Sequence, residues 1–182
     1  IHKNNFLMGK ISKNKINNKS FLGVSIDSKT LKKGNLFIAI KGKNNDGHHF
    51  VKEALLKGAA NCIISKNSSN FPKNKIIKVD NTFSFLKQLA FLKRNYSNGT
   101  IIGVTGSSGK TSVKDLLGNL LQNYGKTYFS PKSFNNSYGV PLSICNLEEE
   151  HRYGVFEIGM SRSGEIDQLS QIVRPNIAII TN

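Results

Sequence analysis

The sequence predicts an α/β protein built on largely parallel sheets. Three observations carry this expectation. Short runs rich in Ile, Val and Phe recur along the chain, amphipathic stretches at helical spacing alternate with them, and Gly, Asn, Asp and Ser mark the joints. Strands that alternate with helices need crossover connections, so neighbouring strands run the same way.

Taken in order, residues 1–20 are polar and rich in Lys and Asn, with Phe6, Leu7, Met8, Ile11 and Ile16 to bury. A ragged edge hairpin is expected there. Phe21 to Ile26 is strand-like, and Asp27-Ser28-Lys29-Thr30 is a polar turn. The turn Lys33-Gly34-Asn35 leads into a buried strand, Leu36 to Ile40. A loop from Lys41 to His49 precedes a helix from Phe50 to Lys57, which Gly58 ends. Ala60 to Ile64 and Ile76 to Val79 are strands separated by a loop carrying Pro72. Asp80-Asn81-Thr82 offers N-caps for a helix to Asn95, with Phe83, Leu86, Leu89 and Ala90 facing in.

Tyr96 to Gly99 reads as a linker, dividing the chain into a domain over residues 1–97 and another over 98–182. Ile101, Ile102 and Val104 give the next strand. Val113, Leu116, Leu117, Leu120, Leu121 and Tyr124 recur at helical spacing, and Gly125 stands where a glycine would stop the helix. Thr127-Tyr128-Phe129 is a short strand. A helix after Asn136 carries Val140, Leu142, Ile144 and Cys145, with Pro141 tolerated in its first turn. Gly154 to Ile158 is a strand, Ser163-Gly164-Glu165 opens a helix to Val173 that Arg174-Pro175 ends, and Asn176 to Thr181 is the last strand. The chain starts at Ile1 and stops where that strand should hand over to a functional loop, so it reads as a piece of a longer protein.

The 26 Lys and Arg against 11 Asp and Glu give a net charge of +15. The lysines are scattered among asparagines, without a dense basic helix or basic–aromatic alternation. Nucleic acid is therefore not an expected partner, whereas small anions such as nucleotides are. No apolar run is long enough to insert in a membrane. Cys62 and Cys145 look like small core residues of a reducing compartment. His2 and His151 read as surface residues, and Glu148-Glu149-Glu150 as a solvated loop.

Between the strand at Val104 and the helix at Val113 lies Thr105-Gly106-Ser107-Ser108-Gly109-Lys110-Thr111-Ser112, the parts of a phosphate cradle. Glycines let the backbone approach an anion, and the helix start adds unpaired N–H groups and the positive end of a dipole. Lys110 would reach the β/γ-phosphates, and the Thr111 hydroxyl would ligate Mg²⁺. The common phosphate-loop spacing wants glycine where Val104 stands, with Gly103 and Gly106 flanking it instead. The reading requires that the amides of the bend be open to a ligand. Glu157 closes an apolar strand at its C-terminal end, where α/β sheets place ligands, and would share the metal with Thr111.

The motifs Gly106-Ser107-Ser108-Gly109-Lys110-Thr111-Ser112, Asn135-Asn136-Ser137-Tyr138-Gly139-Val140-Pro141, Phe156-Glu157-Ile158-Gly159-Met160 and Gly164-Glu165-Ile166 closely resemble the Mur ligase family, in which the shifted glycine spacing is normal. Ser25-Ile26-Asp27-Ser28-Lys29, Gly34 to Gly42 and Asp46-Gly47-His48-His49-Phe50 look like its N-terminal domain. The resemblance implies a small N-terminal α/β substrate-binding domain followed by the first part of a P-loop parallel-sheet ATPase domain. It implies ATP and Mg²⁺ as cofactors, and an acyl phosphate that an amine attacks.

The branch it favours joins D-alanyl-D-alanine to UDP-N-acetylmuramoyl-tripeptide in peptidoglycan precursor synthesis, as a cytoplasmic monomer. The alternatives are the branch that adds the third amino acid, the related folylpolyglutamate synthetase and a non-enzymatic nucleotide-binding module. By resemblance, Lys110, Asn135 and Asn136 serve catalysis and residues Thr105 to Ser112 hold the nucleotide. Asp27, Ser28, Lys29, Lys41, Gly42, Asp46, Gly47 and His48 hold the UDP end of the precursor. Lys29 stands where the family usually has Arg, which makes any contact there a point charge. Ser161-Arg162 stands where many members of the favoured branch show Asn-His, so neither residue takes a catalytic role. The family's later ligands would fall beyond Asn182, so the chain alone is expected to bind nucleotide weakly and not to catalyse ligation.

Overall fold

The computed structural model describes residues 21–66 and 71–182. The expected hairpin in residues 1–20, His2 and the middle of the loop before Pro72 lie outside the described residues. The chain forms two compact units, Ile1–Leu89 and Ala90–Asn182. Their division falls inside a long helix, Thr82–Tyr96 (labelled α2 below), which runs on into the stretch read as a linker.

In the first unit β1 (Val24–Ser25), β2 (Leu36–Ile38), β3 (Asn61–Ile64) and β4 (Ile76–Lys78) form a parallel sheet in that order. Every residue of β2 and β3 is buried, as expected of parallel strands covered on both faces. A 3₁₀ turn, Gly47–Phe50, and helix α1 (Val51–Leu56) connect them. Asp46 starts that turn by accepting from the His48 amide at 3.0 Å. Gly47 is needed beside it, because a Cβ there would come within 2.7 Å of the Ile40 backbone nitrogen. Leu31, Phe37, Ala39, Val51, Ala54, Ala59, Cys62 and Ile64 form the core. The strand expected over Phe21 to Ile26 shrinks to two residues, Val24 and Ser25, in register with Leu36 and Phe37; the Leu22 amide still donates to the Gly34 carbonyl at 3.0 Å, but the residue is exposed.

The second unit holds β5 (Thr100–Gly106), α3 (Lys110–Leu121), β6 (Thr127–Phe129), α4 (Gly139–Cys145), β7 (Tyr153–Glu157), α5 (Glu165–Val173) and β8 (Ile177–Thr181). The sheet is parallel in the order β6-β7-β5-β8. Val104 of β5 pairs with Glu157 of β7 on one side and Ile179 of β8 on the other. The carboxyl ends of β5 and β7 therefore finish side by side, where open α/β sheets bind ligands.

Helix α3 covers the face carrying Ile102, Val104 and Val155 and presents Val113, Leu117 and Leu121 to it. The neighbouring stripe is left outside, with Leu116, Leu120 and Tyr124 exposed. Gly118 allows the close approach of the buried side, since any Cβ there would run into the Phe129 ring. His151, read from the sequence as a surface residue, is buried. Its Nδ1 accepts from the Glu148 amide at 2.9 Å, and its ring meets Tyr128 edge-on at 5.7 Å. Glu148 and Glu150 are exposed and pair with Lys126 at 2.7 Å each.

Both cysteines are buried thiols, neither in a disulfide, and burial pushes the Cys62 thiol up to about 12. Helix α5 ends as expected at Arg174, which takes a left-handed φ of 44°. Arg94 caps that end by donating to the carbonyls of Val173 and Arg174 at 2.7 and 2.8 Å. Among the described residues no helix is long and apolar enough to cross a membrane.

Candidate nucleotide and metal site

The bend between β5 and α3 is built by two glycines in left-handed or more open conformations, Gly106 at φ 138° and Gly109 at φ 77°. Gly106 is enclosed, since a Cβ on it would strike the Thr181 backbone. Gly109 faces open space, with nothing near the position of a Cβ. The amide of Ser108 is engaged, donating to the Asn182 carbonyl at 2.7 Å. Among the described residues, the amides of Ser107, Gly109, Lys110 and Thr111 make no hydrogen bond within the chain. One amide of the bend is thus taken and the rest remain open to an anion at the positive end of α3.

No acidic residue stands in the first turn of α3 to oppose such an anion. The Lys110 ammonium folds back onto the bend and donates to the carbonyls of Gly106 and Ser107 at 2.7 and 3.0 Å. The Thr181 hydroxyl ties the opposite side by donating its one proton to the Ser108 carbonyl at 2.5 Å, with the Thr105 carbonyl 3.1 Å away.

Glu157 is the centre of the site. The residue is 1% exposed, and its carboxylate takes two hydrogen bonds, from the Thr111 hydroxyl to Oε2 and from the Asn135 amide to Oε1, each 2.7 Å. Both donors are neutral, and among the described residues no ion pair includes Glu157. A buried carboxylate without a cation is costly, which makes this a place that favours one. Among the described residues no cluster of three His, Cys, Asp or Glu side chains could hold a metal. A single carboxylate beside a hydroxyl suits Mg²⁺, which keeps its waters and takes phosphate oxygens for the rest of its shell.

The two adjacent asparagines separate. Asn135 reaches Glu157, and its approach depends on Gly159, where a Cβ would come within 2.9 Å of the Asn135 side chain. Asn136 instead caps α4, accepting from the amides of Tyr138 and Gly139 at 3.0 and 2.9 Å. Ser112 is exposed on the first turn of α3.

Lys114, which has no recognisable role in the sequence, is fully buried with its ammonium on the carbonyls of Ser130 and Lys132, both at 2.8 Å. A lysine at i+4 from Lys110 carries no signal of its own. The available hint was that it falls on the face of α3 that also carries Val113 and Leu117.

In the first unit, Asp27, Ser28, Lys29 and Gly47 line one cavity of about 370 Å³ together with Ile26, Ile40, Asn45 and Phe50. Lys41 and Gly42 form the neighbouring loop, with the Lys41 backbone paired antiparallel to that of Asp46 and the Gly42 amide on the Asn45 carbonyl at 2.8 Å. The Ser28 hydroxyl donates to Glu53 at 2.9 Å.

His48 sits between Asp46 and Ser65, with Nδ1 2.6 Å from Asp46 and Nε2 accepting from the Ser65 amide at 3.0 Å. That acceptor role leaves Nδ1 as the protonated nitrogen. Because an amide already occupies Nε2, this Asp–His–Ser arrangement is a strut and not an activated hydroxyl. The Lys66 ammonium first, then the hydrogen bonds from His48, hold the Asp46 carboxyl well below the usual carboxylate range against the opposing pull of burial.

The model of the Mur ligase middle domain matches residues 104–182, and that of the Mur ligase family catalytic domain matches residues 20–94. The chain belongs to the Mur ligase family. It is 43% identical over 159 residues to the UDP-N-acetylmuramoyl-tripeptide--D-alanyl-D-alanine ligase of Rickettsia prowazekii (strain Madrid E), covering 87% of this chain and 35% of that one. It is 39% identical over 161 residues to the ligase of the same name from Bacillus subtilis (strain 168), covering 88% and 35%. This Mur ligase chain thus spans about a third of the length of the curated relatives it matches.

A crystal structure of MurF from Acinetobacter baumannii superposes with a TM-score of 0.81 at 31% identity, covering 97% of this chain and 40% of that one. MurF of Thermotoga maritima, solved in complex with ADP, gives 0.71 at 39%, covering 87% and 36%. A UDP-N-acetylmuramoyl-L-alanyl-D-glutamate--2,6-diaminopimelate ligase, at 16% identity and a TM-score of 0.50, shares the fold alone.

Proposed function

We propose that this chain is the nucleotide- and precursor-binding part of an ATP-dependent amide ligase that joins D-alanyl-D-alanine to UDP-N-acetylmuramoyl-tripeptide. The observation that carries the reading is the buried Glu157 carboxylate, held by neutral donors beside a bend with open amides. Residues 98–182 supply the front of the ATP domain. The amides around Gly109 and the Lys110 ammonium would hold the phosphates once Lys110 leaves the carbonyls of Gly106 and Ser107. Thr111 and Glu157 would hold Mg²⁺, which neutralises phosphate charge when bound. Asn135 fixes the direction in which the Glu157 carboxylate points. Phosphoryl transfer to the precursor's carboxylate needs chiefly such positioning and charge neutralisation.

Residues 1–97 would hold the UDP end of the precursor in the cavity lined by Asp27, Ser28, Lys29 and Gly47, with Lys29 offering the positive charge. The Asp46–His48–Ser65 strut keeps the neighbouring loop in place. Substrates activated with ATP and carried on UDP go with a cytoplasmic location. The favoured branch has 31–39% identity to solved structures behind it, against 16% for the branch that adds the third amino acid.

Isothermal titration with Mg-ATP tests the nucleotide reading directly. Lys110→Ala should bind about 10- to 100-fold more weakly than wild type, the loss of one charge-assisted contact. Equal affinity in both would overturn it.

A further inference from the structure

We propose that Lys114 is a positioning residue for the metal–nucleotide site, acting through Asn135. The inference rests on the reading of Glu157 and Thr111 given above. Lys114 is 0% exposed, and its ammonium has three acceptors for its three protons: the carbonyls of Ser130 and Lys132 and Oδ1 of Asp115, each at 2.8 Å. An apolar side chain of similar length would fill that space without the cost of burying a charge. What the ammonium adds is a grip on the loop between β6 and α4.

That loop is under tension and leads to the site. Lys132 takes a left-handed φ of 51°, which a non-glycine residue adopts only when its surroundings impose it. Its carbonyl is one of the two that Lys114 holds. Ser130, fully buried, accepts from the Glu157 amide on its hydroxyl at 3.3 Å. Three residues beyond Lys132 the loop delivers Asn135, whose carbonyl accepts from the Gly159 amide at 2.8 Å and whose side chain reaches Oε1 of Glu157. Thr111, three residues before Lys114 on the same helix, serves the other oxygen. One face of α3 thereby fixes both sides of the carboxylate, directly through Thr111 and through the loop by way of Lys114.

The test titrates the chain with ADP in excess Mn²⁺ and again in EDTA, for wild type, Lys114→Met, Asn135→Ala and the double variant. Wild type should bind ADP about tenfold more tightly with Mn²⁺. Lys114→Met should keep its affinity in EDTA within about twofold and lose the Mn²⁺ enhancement, and the double variant should be no worse than either single. A role in folding alone would weaken binding equally with and without Mn²⁺ and add to Asn135→Ala; that result overturns the proposal.

Should Lys114→Met fail to fold by circular dichroism, Lys114→Leu, which likewise has no N–H donor for the loop carbonyls, is read the same way. Retained enhancement in whichever variant folds overturns the proposal while leaving the nucleotide reading intact. Wild type that binds ADP without any gain from Mn²⁺ brings down the metal reading itself, and this proposal with it.

Discussion

The Thr111 hydroxyl donates to Oε2 of Glu157 at 2.7 Å, across 46 residues of sequence. The two stand on different elements, the first turn of α3 and the last residue of β7. They meet because β5, which feeds α3, pairs with β7 so that Val104 lies opposite Glu157. Parallel pairing brings both strand ends to one edge, and the helix that follows β5 begins there.

Replacing Glu157 by Gln keeps the shape and removes the buried charge. The Asn135 amide can still donate to the side-chain oxygen, and the Thr111 hydroxyl can turn to accept. Urea unfolding without nucleotide should show the variant no less stable than wild type and about 1 kcal/mol more stable. The same variant should lose the gain in nucleotide affinity that Mg²⁺ confers. A variant markedly less stable than wild type would mean that the carboxylate already has its compensation within the protein.

The two glycines of the bend should respond differently to alanine. At Gly109 a Cβ meets open space, so Gly109→Ala should cost only the left-handed backbone, about 1–2 kcal/mol. At Gly106 the same Cβ adds a collision with the Thr181 backbone, and the cost should be about 3 kcal/mol or more. Chemical denaturation of both variants ranks them, and equal costs would contradict the geometry.

Asp46 should give the first unit an acid-sensitive component of stability. Its folded carboxyl titrates well below its unfolded value of about 3.9, so its contribution is fully present above that value. It is lost as pH falls through the lower folded value. Asp46→Asn should therefore cost about 1–3 kcal/mol at pH 7, where the charge-assisted hydrogen bonds from Lys66 and His48 are intact. The gap to wild type should narrow as pH falls below about 4. Thermal melts from pH 7 down to pH 2.5 measure it, and a constant gap would exclude a role for ionised Asp46.

Much of the fold was legible because burial writes itself into the sequence. Leu36–Ile38 and, after Asn61, the rest of the Asn61–Ile64 strand are apolar runs covered on both faces, and Thr127–Phe129 has the span expected for it. Helix ends were legible where a residue type is forced, as at Gly58 with φ 85°. The face of α3 was not. Two adjacent stripes, one of Val113, Leu117 and Leu121 and the other of Leu116, Leu120 and Tyr124, have the same period, and the buried one lies beside Gly118, where the helix comes close to the Phe129 ring. The burial of His151 and Lys114 is not legible for a related reason: their partners, Tyr128 and the Ser130–Lys132 loop, lie elsewhere in the chain.

The sequence by itself determined the alternation of strands and helices, the glycine-rich bend with its lysine and threonine, and the carboxylate closing β7, since each follows from local periodicity or from a backbone conformation few residues adopt. Only the tertiary structure decided that Asn135 serves Glu157 while Asn136 caps α4, and that a buried lysine on α3 holds the loop that makes this so. Neighbouring residues point in different directions once the backbone is fixed. Which of them meets the site depends on the register of β5 with β7 and on the path of the loop between β6 and α4, and both are set by contacts across the fold.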